Sequence, residues 1–569
     1  MLWNLLRSAF QRHARPNQFI TRSLDLRKEG RLRDAEQVLR DAAAQFPRDA
    51  VVATNLGVVL LEQEQGEQGV AWLRRALDFD PRCAPAHYNL ANVMRASGER
   101  EQALEHYQAA VDVDSGFASA REELLHCLLE VCDWQRADLQ ADALRAMIAR
   151  EPAATWMRCV SPLTALYLGL EPALLKGVSA FHAAECARGI ALVARNVAAN
   201  APAAANDARL RIGYLSRDFR DHPVGQLLAN AFALHDRARF EVYAFSYGPD
   251  DGSIYRKAIA AGVDHFVDAH AMTDADLAAH IAQAGIHVLV DLAGHTTGNR
   301  LAVLARRPAP VQANYLGFSA TTGASYVDYF ISDKIATPPA LAGGFSEKLA
   351  YVPHCYMVSD GTDAPSVADG AGADTQFAAD AIVFCNFNNA SRITRDDFRA
   401  WMKILHGVPA GVLWLQGASA LAVGNLRKEA QACGIDPARV VFAQRVPTKR
   451  EHLARLKRAD LVLDTIGWHN GHSSTSDALW AGVPVLTVPG QHFASRVAAS
   501  LVTAAGLPEL VKRDRAEYIA VAVELGGDRA QLAALKSKLT QRAAPFFDTR
   551  MRVRDLEDAY LGMWNDYSR

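Results

Sequence analysis

The stretch at 461–490, which reads LVLDTIGWHNGHSSTSDALWAGVPVLTVPG, constrains the fold more than any other part of the chain. A short apolar run ends at Asp464, as a buried parallel strand would, and a loop that contains glycine and histidine follows it. The hydroxyl residues from Ser473 to Ser476 then open an apparent helix, which stops at Gly482, and a second apolar strand begins directly afterwards. Strand, polar loop, helix and strand in this order predict a doubly wound α/β fold.

The helix start in this stretch predicts a site for an anion. The first N–H groups of a helix lack partners within it, and the helix dipole is positive there, so that end stabilises a phosphate group. Ordinary N-capping is the alternative, and a single serine would favour it. Four hydroxyl residues in a row, preceded by Gly471 and His472, favour a phosphate-type ligand that Ser473 and Ser474 would contact.

Small residues recur with a spacing of 34 positions near the start of the chain. The matching sets are Gly30, Ala35, Ala42 and Pro47, then Glu64, Gly69, Ala76 and Pro81, then Gly98, Ala103, Ala110 and Ser115. This period, with small residues where two helices would approach, resembles tetratricopeptide repeats, which form a helix-turn-helix solenoid. Alanine-rich amphipathic helices without a repeat are the alternative, and they explain the shared spacing less well.

Asn55 and Asn89 occupy the same position in successive repeats, and a leucine follows each of them. In tetratricopeptide arrays an asparagine at such a position often faces the concave groove and holds the backbone of an extended peptide. Packing of the asparagine within its own repeat is the alternative. The two residues therefore predict a peptide-binding groove.

Beyond the repeats the pattern stays helical without the 34-residue spacing, and then short apolar strands alternate with helical stretches. The predicted strands cover residues 211–216, 240–247, 286–294, 326–333, 381–387, 412–417, 440–446, 461–465 and 484–490. Residues just before 209 and around 364–380 have the composition of linkers. The prediction is a repeat region at 1–130, a helical linker at 131–208, an N-terminal Rossmann-like lobe at 209–375 and a C-terminal nucleotide-binding lobe with a terminal helix at 376–569.

Composition argues against several classes of protein. The net charge of −2 gives no basic field for a nucleic acid, and no apolar run is long enough to cross a membrane. The eight cysteines are scattered without a zinc-binding spacing, which predicts a reduced, cytoplasmic setting and no structural metal. The first 16 residues lack the apolar core of a secretory signal and are interpreted as an initial helix.

Six segments of the two lobes, together with the repeats, resemble the nucleocytoplasmic O-GlcNAc transferase family. The segments are RIGYLSRDFRDHP, ARRPAPVQANYLGFSATTG, SEKLAYVPHCY, CNFNNASRI, NGHSSTSDALWAGVPV and ASRVAASLV, and VCDW at 131–134 is similar to the segment after the family's repeats. Members of this family transfer N-acetylglucosamine from UDP-GlcNAc to serine and threonine of proteins. The repeat array is shorter than in the animal members of the family, and in this respect the chain resembles a bacterial member.

This resemblance implies a tetratricopeptide helical solenoid followed by a two-lobed glycosyltransferase B fold of two Rossmann-like domains. It also implies a UDP-sugar donor, protein or peptide acceptors bound through the repeat groove, and inverting transfer without a metal or other cofactor.

The resemblance assigns the nucleotide contacts to the C-terminal lobe. Ser473 and Ser474 would hold the diphosphate, and Asp477, one turn into the helix, would accept hydrogen bonds from the ribose hydroxyls. A carboxylate so close to a phosphate repels it, so a ribose diol explains Asp477; a first-turn aspartate that complements the helix dipole is the alternative. The implied site is completed by Asn389, Lys449, His452, Arg455 and His472, with His452 near the uridine.

Arg392 and His222 are the implied catalytic residues. The family usually has lysine at the position of Arg392, where it donates to the diphosphate and supports the leaving group; arginine keeps the charge and changes the geometry. His222 could be a general base for the acceptor hydroxyl, a hydrogen-bond donor to sugar or phosphate, or an anchor of its loop. Positioning is favoured over proton abstraction.

Two loops of the N-terminal lobe, rich in glycine and threonine, resemble the family's sugar-contacting loops. Their candidate sugar- or acceptor-binding residues are Gly294, His295, Thr296, Gly317 and Thr321. A metal site is not expected, because the tempting Asp-x-Asp pair, Asp274 and Asp276, lies at the start of a predicted helix and suits capping.

Two other functions stay open. The chain could use another UDP-sugar or another acceptor on the same fold. It could also be a tetratricopeptide adaptor whose transferase half is idle, which the arginine at position 392 and the short repeat array would allow.

Overall fold

The computed structural model describes residues 16–190, 209–364, 377–378 and 380–569. Contacts divide the chain into two compact units, Met1–Cys159 and Val160–Arg569. The initial helix predicted before residue 16, the linker residues just before 209 and most of the linker at 364–380 lie outside the described residues. No helix among the described residues is both long enough and apolar enough to span a membrane.

The first unit consists of helices in which each packs against the next along the chain. They are α1 (Pro16–Lys28), α2 (Leu32–Gln45), α3 (Ala50–Glu62), α4 (Gly66–Phe79), α5 (Ala84–Ala96), α6 (Arg100–Val113), α7 (Ala118–Glu130), α8 (Trp134–Arg150) and the short α9 (Ala153–Trp156). Small residues allow the close approach: a Cβ at Gly69 on α4 would lie 2.6 Å from Leu61 Cγ. The predicted helical solenoid of tetratricopeptide type is confirmed.

The turns of this unit repeat with the predicted period, and the structure adds a fourth one. The turn residues Gly30, Glu64, Gly98 and Cys132 have φ of +74°, +62°, +83° and +54°. This left-handed conformation is common for glycine and rare for glutamate or cysteine. Cys132 therefore did not mark a turn in the sequence, and the fourth repeat was not predicted. Its Ala137, in register with Ala35 and Ala103, is fully buried.

The second unit opens with two helices and then alternates strands with helices. Its helices are α10 (Pro162–Tyr167), α11 (Pro172–Cys186), α12 (Pro223–Leu228), α13 (Ile254–Gly262), α14 (Asp274–Gln283), α15 (Leu301–Ala305), α16 (Arg395–Gly407), α17 (Ala420–Ala432), α18 (Lys449–Leu456), α19 (Ser473–Trp480), α20 (Val497–Ala504), α21 (Arg515–Gly527), α22 (Arg529–Thr540) and α23 (Thr549–Ser568). Its strands are β1 (Leu210–Ser216), β2 (Phe240–Ser246), β3 (His265–Asp268), β4 (Val288–Asp291), β5 (Val311–Asn314), β6 (Tyr329–Ser332), β7 (Lys348–Tyr351), β8 (Ile382–Asn386), β9 (Gly411–Leu415), β10 (Val440–Phe442), β11 (Leu461–Leu463) and β12 (Val485–Leu486).

The strands form two parallel sheets, one in each lobe. Their orders are β3-β2-β1-β4-β5-β6-β7 and β10-β9-β8-β11-β12. In the first lobe, β2 and then β3 are added on one side of β1, and β4 is placed on the opposite side of β1. The second lobe has the same arrangement: β9 and β10 lie on one side of β8, and β11 lies on the other. Ligands of such sheets bind at the carboxyl ends of the strands where the order reverses. The predicted two-lobed glycosyltransferase B fold is confirmed.

The last helix, α23, packs on the sheet of the N-terminal lobe, where it contacts β4, β5 and β7. Its Tyr560 hydroxyl lies 3.0 Å from that of Tyr214 on β1. Its Glu557 carboxylate accepts a hydrogen bond from His235 at 3.0 Å, and both side chains are buried. The chain therefore crosses from the first lobe to the second and then returns to the first.

Candidate functional site

The hydroxyl cluster lies in the first turn of α19, and ordinary capping does not explain it. The capping position belongs to His472, whose side chain makes no capping bond. Position 471 requires glycine because the Thr475 side chain packs directly against its backbone: a Cβ at Gly471 would lie 2.3 Å from Thr475 Oγ1. Among the described residues, the Ser473 hydroxyl has no hydrogen-bond partner. The first turn of α19 can therefore offer a hydroxyl group and unpaired N–H groups to a ligand.

Arg392 provides the positive charge beside this helix start. It ends a one-turn helix after β8, and Asn389 caps this helix by accepting from Ser391 N at 3.1 Å through Oδ1. The half-buried guanidinium makes no hydrogen bond or ion pair to any described residue. Surrounding protein lowers its pKa to about 10, and burial together with the nearby Arg392 charge lowers the pKa of His472 to about 3. The charge of Asp464 opposes the lowering of the Arg392 pKa only in part, and a shielded cation that no described residue engages by a hydrogen bond or ion pair favours binding of an anion.

Further buried donors lie on the loop before α19 and on α19 itself. Within the described part of the chain, the buried atoms Trp468 Nε1, Asn470 Nδ2 and Ser476 Oγ have no hydrogen-bond partner. Buried donors are nearly always paired in native proteins, so such a group calls for a bound water or ligand.

The residues predicted for the nucleoside come together next to α19. Asp477, which is 8% exposed, accepts a hydrogen bond from Lys449 Nζ, and His452 Nε2 lies 3.7 Å from its other oxygen. Arg455 Nη2 lies 2.9 Å from His452 Nδ1, and the Arg455 guanidinium also lies over the ring of Phe387. Because burial lowers the pKa of His452 to about 4, the ring is neutral and Nδ1 accepts from arginine. Asp477 is thus held by a donor, Lys449, which a ribose diol could supplement or displace, with the neutral His452 ring close by.

In the N-terminal lobe, His222 holds the capping position of α12. Its Nδ1 accepts a hydrogen bond from Val224 N at 3.3 Å, and Asp218 Oδ2 lies 3.6 Å away. Burial is the main cause that lowers the pKa of His222, so the ring is neutral near pH 7. With Nδ1 as acceptor, the proton resides on Nε2, which is free to donate.

The two predicted sugar-contacting loops are shaped by buried carboxylates. Asp291, at the end of β4, accepts from Gly294 N at 2.7 Å, and Gly294 has a φ of +56°. His295 Nε2 donates to Thr322 O at 2.7 Å, and Thr296 N donates to Ala293 O at 3.2 Å. These contacts fix the loop backbone directly after the strand.

The second of these loops, after β5, packs more tightly. A Cβ at Gly317 would lie 2.1 Å from Leu292 O, so only glycine fits. The Thr321 hydroxyl donates to the buried Glu347 at 2.5 Å. Both features rigidify the loop and leave the Thr321 hydroxyl occupied.

The lobes meet where this loop approaches the start of α19. Ser319 Oγ lies 3.4 Å from His472 Nδ1, while His472 Nε2 donates to Ala494 O at 3.0 Å. In the same lobe as Ser319, Arg217 Nη1 donates to Thr297 O at 3.2 Å and so ties the turn before His222 to the loop after β4. Sequence analysis did not single out Ser319 or Arg217.

Sequence analysis gave no role in the site to two equivalent buried aspartates, Asp291 in the first lobe and Asp464 in the second. Each lies at the carboxyl end of the strand at which the sheet order reverses, and each accepts the N–H group of a loop glycine, Gly294 or Gly471, at 2.7 Å. An aspartate at the end of an apolar strand, followed within seven residues by glycine, is the signal that could have identified them.

A pH-dependent difference in stability is expected for Asp464→Asn. Burial raises the pKa of Asp464 to about 7, against about 3.9 for an unfolded aspartate. The folded state thus holds the proton more tightly, which stabilises it fully below about pH 4, and this contribution is lost as the pH rises through about 7. The free energy of unfolding of the original protein should therefore fall by up to about 4 kcal/mol from pH 4 to pH 8 through this group. Asparagine does not titrate and lacks this loss, so the free energy of unfolding of the variant should rise by the same amount relative to the original protein.

Denaturant unfolding of both proteins at several pH values measures this difference. Asp528→Asn, at the exposed start of α22, is the matched control and should show a constant difference. A constant difference for Asp464→Asn as well would contradict the raised pKa.

Two predicted features lie outside this cluster. In the first unit, Asn55 Nδ2 donates to Val51 O at 2.8 Å and Asn89 Nδ2 donates to Pro85 O at 2.7 Å. Both therefore make a bond within their own helix and keep a side-chain oxygen available. The Asp-x-Asp pair lies in the first turn of α14, in the capping region, and the cap itself is Thr273, whose side chain accepts from Asp276 N. No three metal-ligating side chains cluster anywhere in the described ranges.

Comparison with known proteins gives a consistent result. The model of glycosyl transferase family 41 matches residues 131–364 and 366–556, and a tetratricopeptide repeat model matches residues 26–93. A "probable UDP-N-acetylglucosamine--peptide N-acetylglucosaminyltransferase" of Arabidopsis thaliana is 35% identical over 455 residues, which cover 78% of this chain and 46% of the relative. The enzyme of Caenorhabditis elegans that bears the same name without "probable" is 30% identical over 555 residues, which cover 77% of this chain and 48% of the relative. The chain thus spans about half the length of these relatives.

Among solved structures, a mutant of an O-GlcNAc transferase from Thermobaculum terrenum is 28% identical with a TM-score of 0.66. The match covers 97% of this chain and 98% of that one.

Proposed function

The chain belongs to glycosyl transferase family 41, and from that premise we propose that it transfers N-acetylglucosamine from UDP-GlcNAc to serine and threonine hydroxyls of polypeptides. We propose further that the transfer inverts the anomeric carbon and needs no metal. The single observation that carries the proposal is the shielded, unpartnered Arg392 beside the open first turn of α19. The relatives' names support the donor and the acceptor class.

The proposed chemistry divides between the two lobes. As the acceptor oxygen meets the anomeric carbon and the bond to UDP breaks, negative charge accumulates on the diphosphate. Arg392 and the positive end of α19 are fixed near that charge, so they stabilise the transition state more than the bound donor. His222, with its proton on Nε2, supports a role as hydrogen-bond donor that orients sugar or acceptor, in preference to a general base.

Transfer to a peptide library tests this proposal. We expect the mass of N-acetylhexosamine to be added to serine or threonine when UDP-GlcNAc is supplied, and titration with other UDP-sugars should give weaker binding. A chain that binds UDP but modifies no peptide would support the adaptor alternative instead.

Binding of UDP is expected to be unaffected by a chelator and sensitive to the hydroxyls of α19. The double substitution Ser473→Ala with Ser474→Ala should cost about 1.5–3 kcal/mol of UDP binding through loss of charge-assisted hydrogen bonds. Isothermal titration with and without EDTA measures both effects. Ser419→Ala, which removes a capping hydroxyl at the start of α17 in the same lobe, is the control. Loss of binding with EDTA, and none with the double substitution, would exclude the proposed site.

Asp477→Asn is expected to weaken UDP by about tenfold or more and not to weaken inorganic pyrophosphate. Pyrophosphate has no ribose, and the substitution removes only the carboxylate that would accept from a ribose diol. It also frees Lys449, whose charge then favours any phosphate. Competition titrations with both ligands measure the ratio, with Asp528→Asn as the control. An equal loss for both ligands would make Asp477 a structural residue of the helix start.

A further inference from the structure

A chain of buried hydrogen bonds lies beneath the start of α19. Asp464, which is 1% exposed, accepts from Gly471 N at 2.7 Å and from Asn388 Nδ2 at 3.4 Å on one oxygen. Its other oxygen accepts from Thr487 Oγ1 at 2.7 Å. One carboxylate therefore joins the residues that follow β8, β11 and β12 to the loop before the helix.

This carboxylate determines the orientation of the Asn388 amide. Asn388 Nδ2 also donates to Thr465 Oγ1 at 3.0 Å, and the proton of Thr465 is committed to His469 O at 2.8 Å. Both groups that face this end of the amide, Asp464 and Thr465, are thus acceptors, so the amide nitrogen must point at them. The amide oxygen, Oδ1, is left to face Ser474.

The Ser474 hydroxyl donates to this oxygen. A hydroxyl has one proton, so the Ser474 proton is engaged by Asn388 and is not available to another acceptor. The neighbouring Ser473 hydroxyl makes no hydrogen bond within the described residues. The two adjacent serines are therefore not equivalent, although the sequence offers no reason to separate them.

We propose that Asn388 is a positioning residue which, held by Asp464, turns the Ser474 proton inward, so that of these two hydroxyls only Ser473 donates to the diphosphate. Ser474 instead ties the helix start to the end of β8 and keeps the first-turn N–H groups in place. This inference rests on the proposed function, because the diphosphate at α19 is itself proposed.

Four variants measured by isothermal titration with UDP test the proposal. Ser473→Ala should lower the affinity about tenfold, whereas Ser474→Ala should lower it less than about threefold. Asn388→Ala removes the inward acceptor and frees the Ser474 proton for the ligand. In that background Ser474→Ala should then lower the affinity about tenfold. A purely structural role would give the same small loss in both backgrounds.

A second comparison needs no change at Ser474 and so does not depend on the folding of that variant. The loss caused by Ser473→Ala should shrink from about tenfold to about threefold when Asn388→Ala is present, because Ser474 can then replace the missing donor. Thermal unfolding of each variant confirms that it is folded.

The results distinguish an error in the proposed role of Asn388 from an error in the proposed diphosphate site at α19. A tenfold loss for Ser474→Ala alone, with no dependence on Asn388, overturns the positioning role and keeps the diphosphate at α19. Unchanged affinity for Ser473→Ala and Ser474→Ala, even when combined, overturns both.

Discussion

Arg392→Ala is expected to lower turnover by about two to three orders of magnitude and to weaken UDP as well. The charge on the leaving diphosphate grows as the sugar is transferred, and loss of one fixed donor aimed at developing charge has an effect of this size. The effect on UDP itself is smaller, because the bound nucleotide makes other contacts at α19. Arg392→Lys should restore most activity, since it keeps the cation while giving up the planar fork of arginine.

Initial transfer rates and UDP affinities measured in parallel check this expectation. Arg399→Ala is the matched control, because Arg399 lies on α16 in the same lobe and pairs with Glu429 at 2.9 Å on the surface. Normal transfer by Arg392→Ala would show that another group stabilises the leaving diphosphate.

His222→Ala is expected to slow transfer comparably, by about two to three orders of magnitude, with UDP affinity close to normal. The contacts of His222 would be with the sugar or the acceptor, so the substitution should not change the affinity for UDP. Because His222 also caps α12, loss of the cap alone could affect activity.

His222→Asn separates these two roles. Asparagine can accept the Val224 N–H bond as Nδ1 does, so it keeps the cap and lacks the Nε2 donor. We expect it to be as slow as His222→Ala. A fast asparagine variant would reduce His222 to a loop anchor, and poor UDP binding by either variant would contradict its assignment to the sugar side. His265→Ala, a surface histidine of the same lobe, is the control.

The strands that sequence patterns predicted are those with apolar runs, and the missed ones lack such runs for physical reasons. The edge strands β3 and β7 are largely half-exposed or exposed, so they carry no apolar run. The central strand β5 contains Gln312 and Asn314, both fully buried. Their side chains donate to Tyr326 O at 2.6 Å and to Asp291 Oδ2 at 3.0 Å, and these bonds offset the cost of burying the amide N–H groups. No local pattern reveals such partners.

The residues of the candidate site likewise fall into those that the sequence could indicate and those that it could not. Ser473, Asp477 and Lys449 could be chosen from local signals and the family resemblance, and the structure brings Asp477 and Lys449 into contact. The role of Asn388 could not be predicted, because its orientation depends on Asp464, which is 76 positions away. A polar residue acquires such a role from the partner that the fold supplies. The assignment of individual ligand contacts stays a prediction.

The return of α23 to the first lobe has a consequence for biosynthesis. The hydroxyl pair of Tyr214 and Tyr560 spans 346 positions, and the pair of His235 and Glu557 spans 322. When a ribosome has made only the first lobe, Tyr214 and His235 still lack their partners on α23, and the apolar face that α23 covers is open to water. Domains generally fold as units in the order of synthesis, but this lobe can complete its core only after the whole second lobe has been translated. A nascent first lobe is therefore expected to need protection by chaperones until α23 leaves the ribosome.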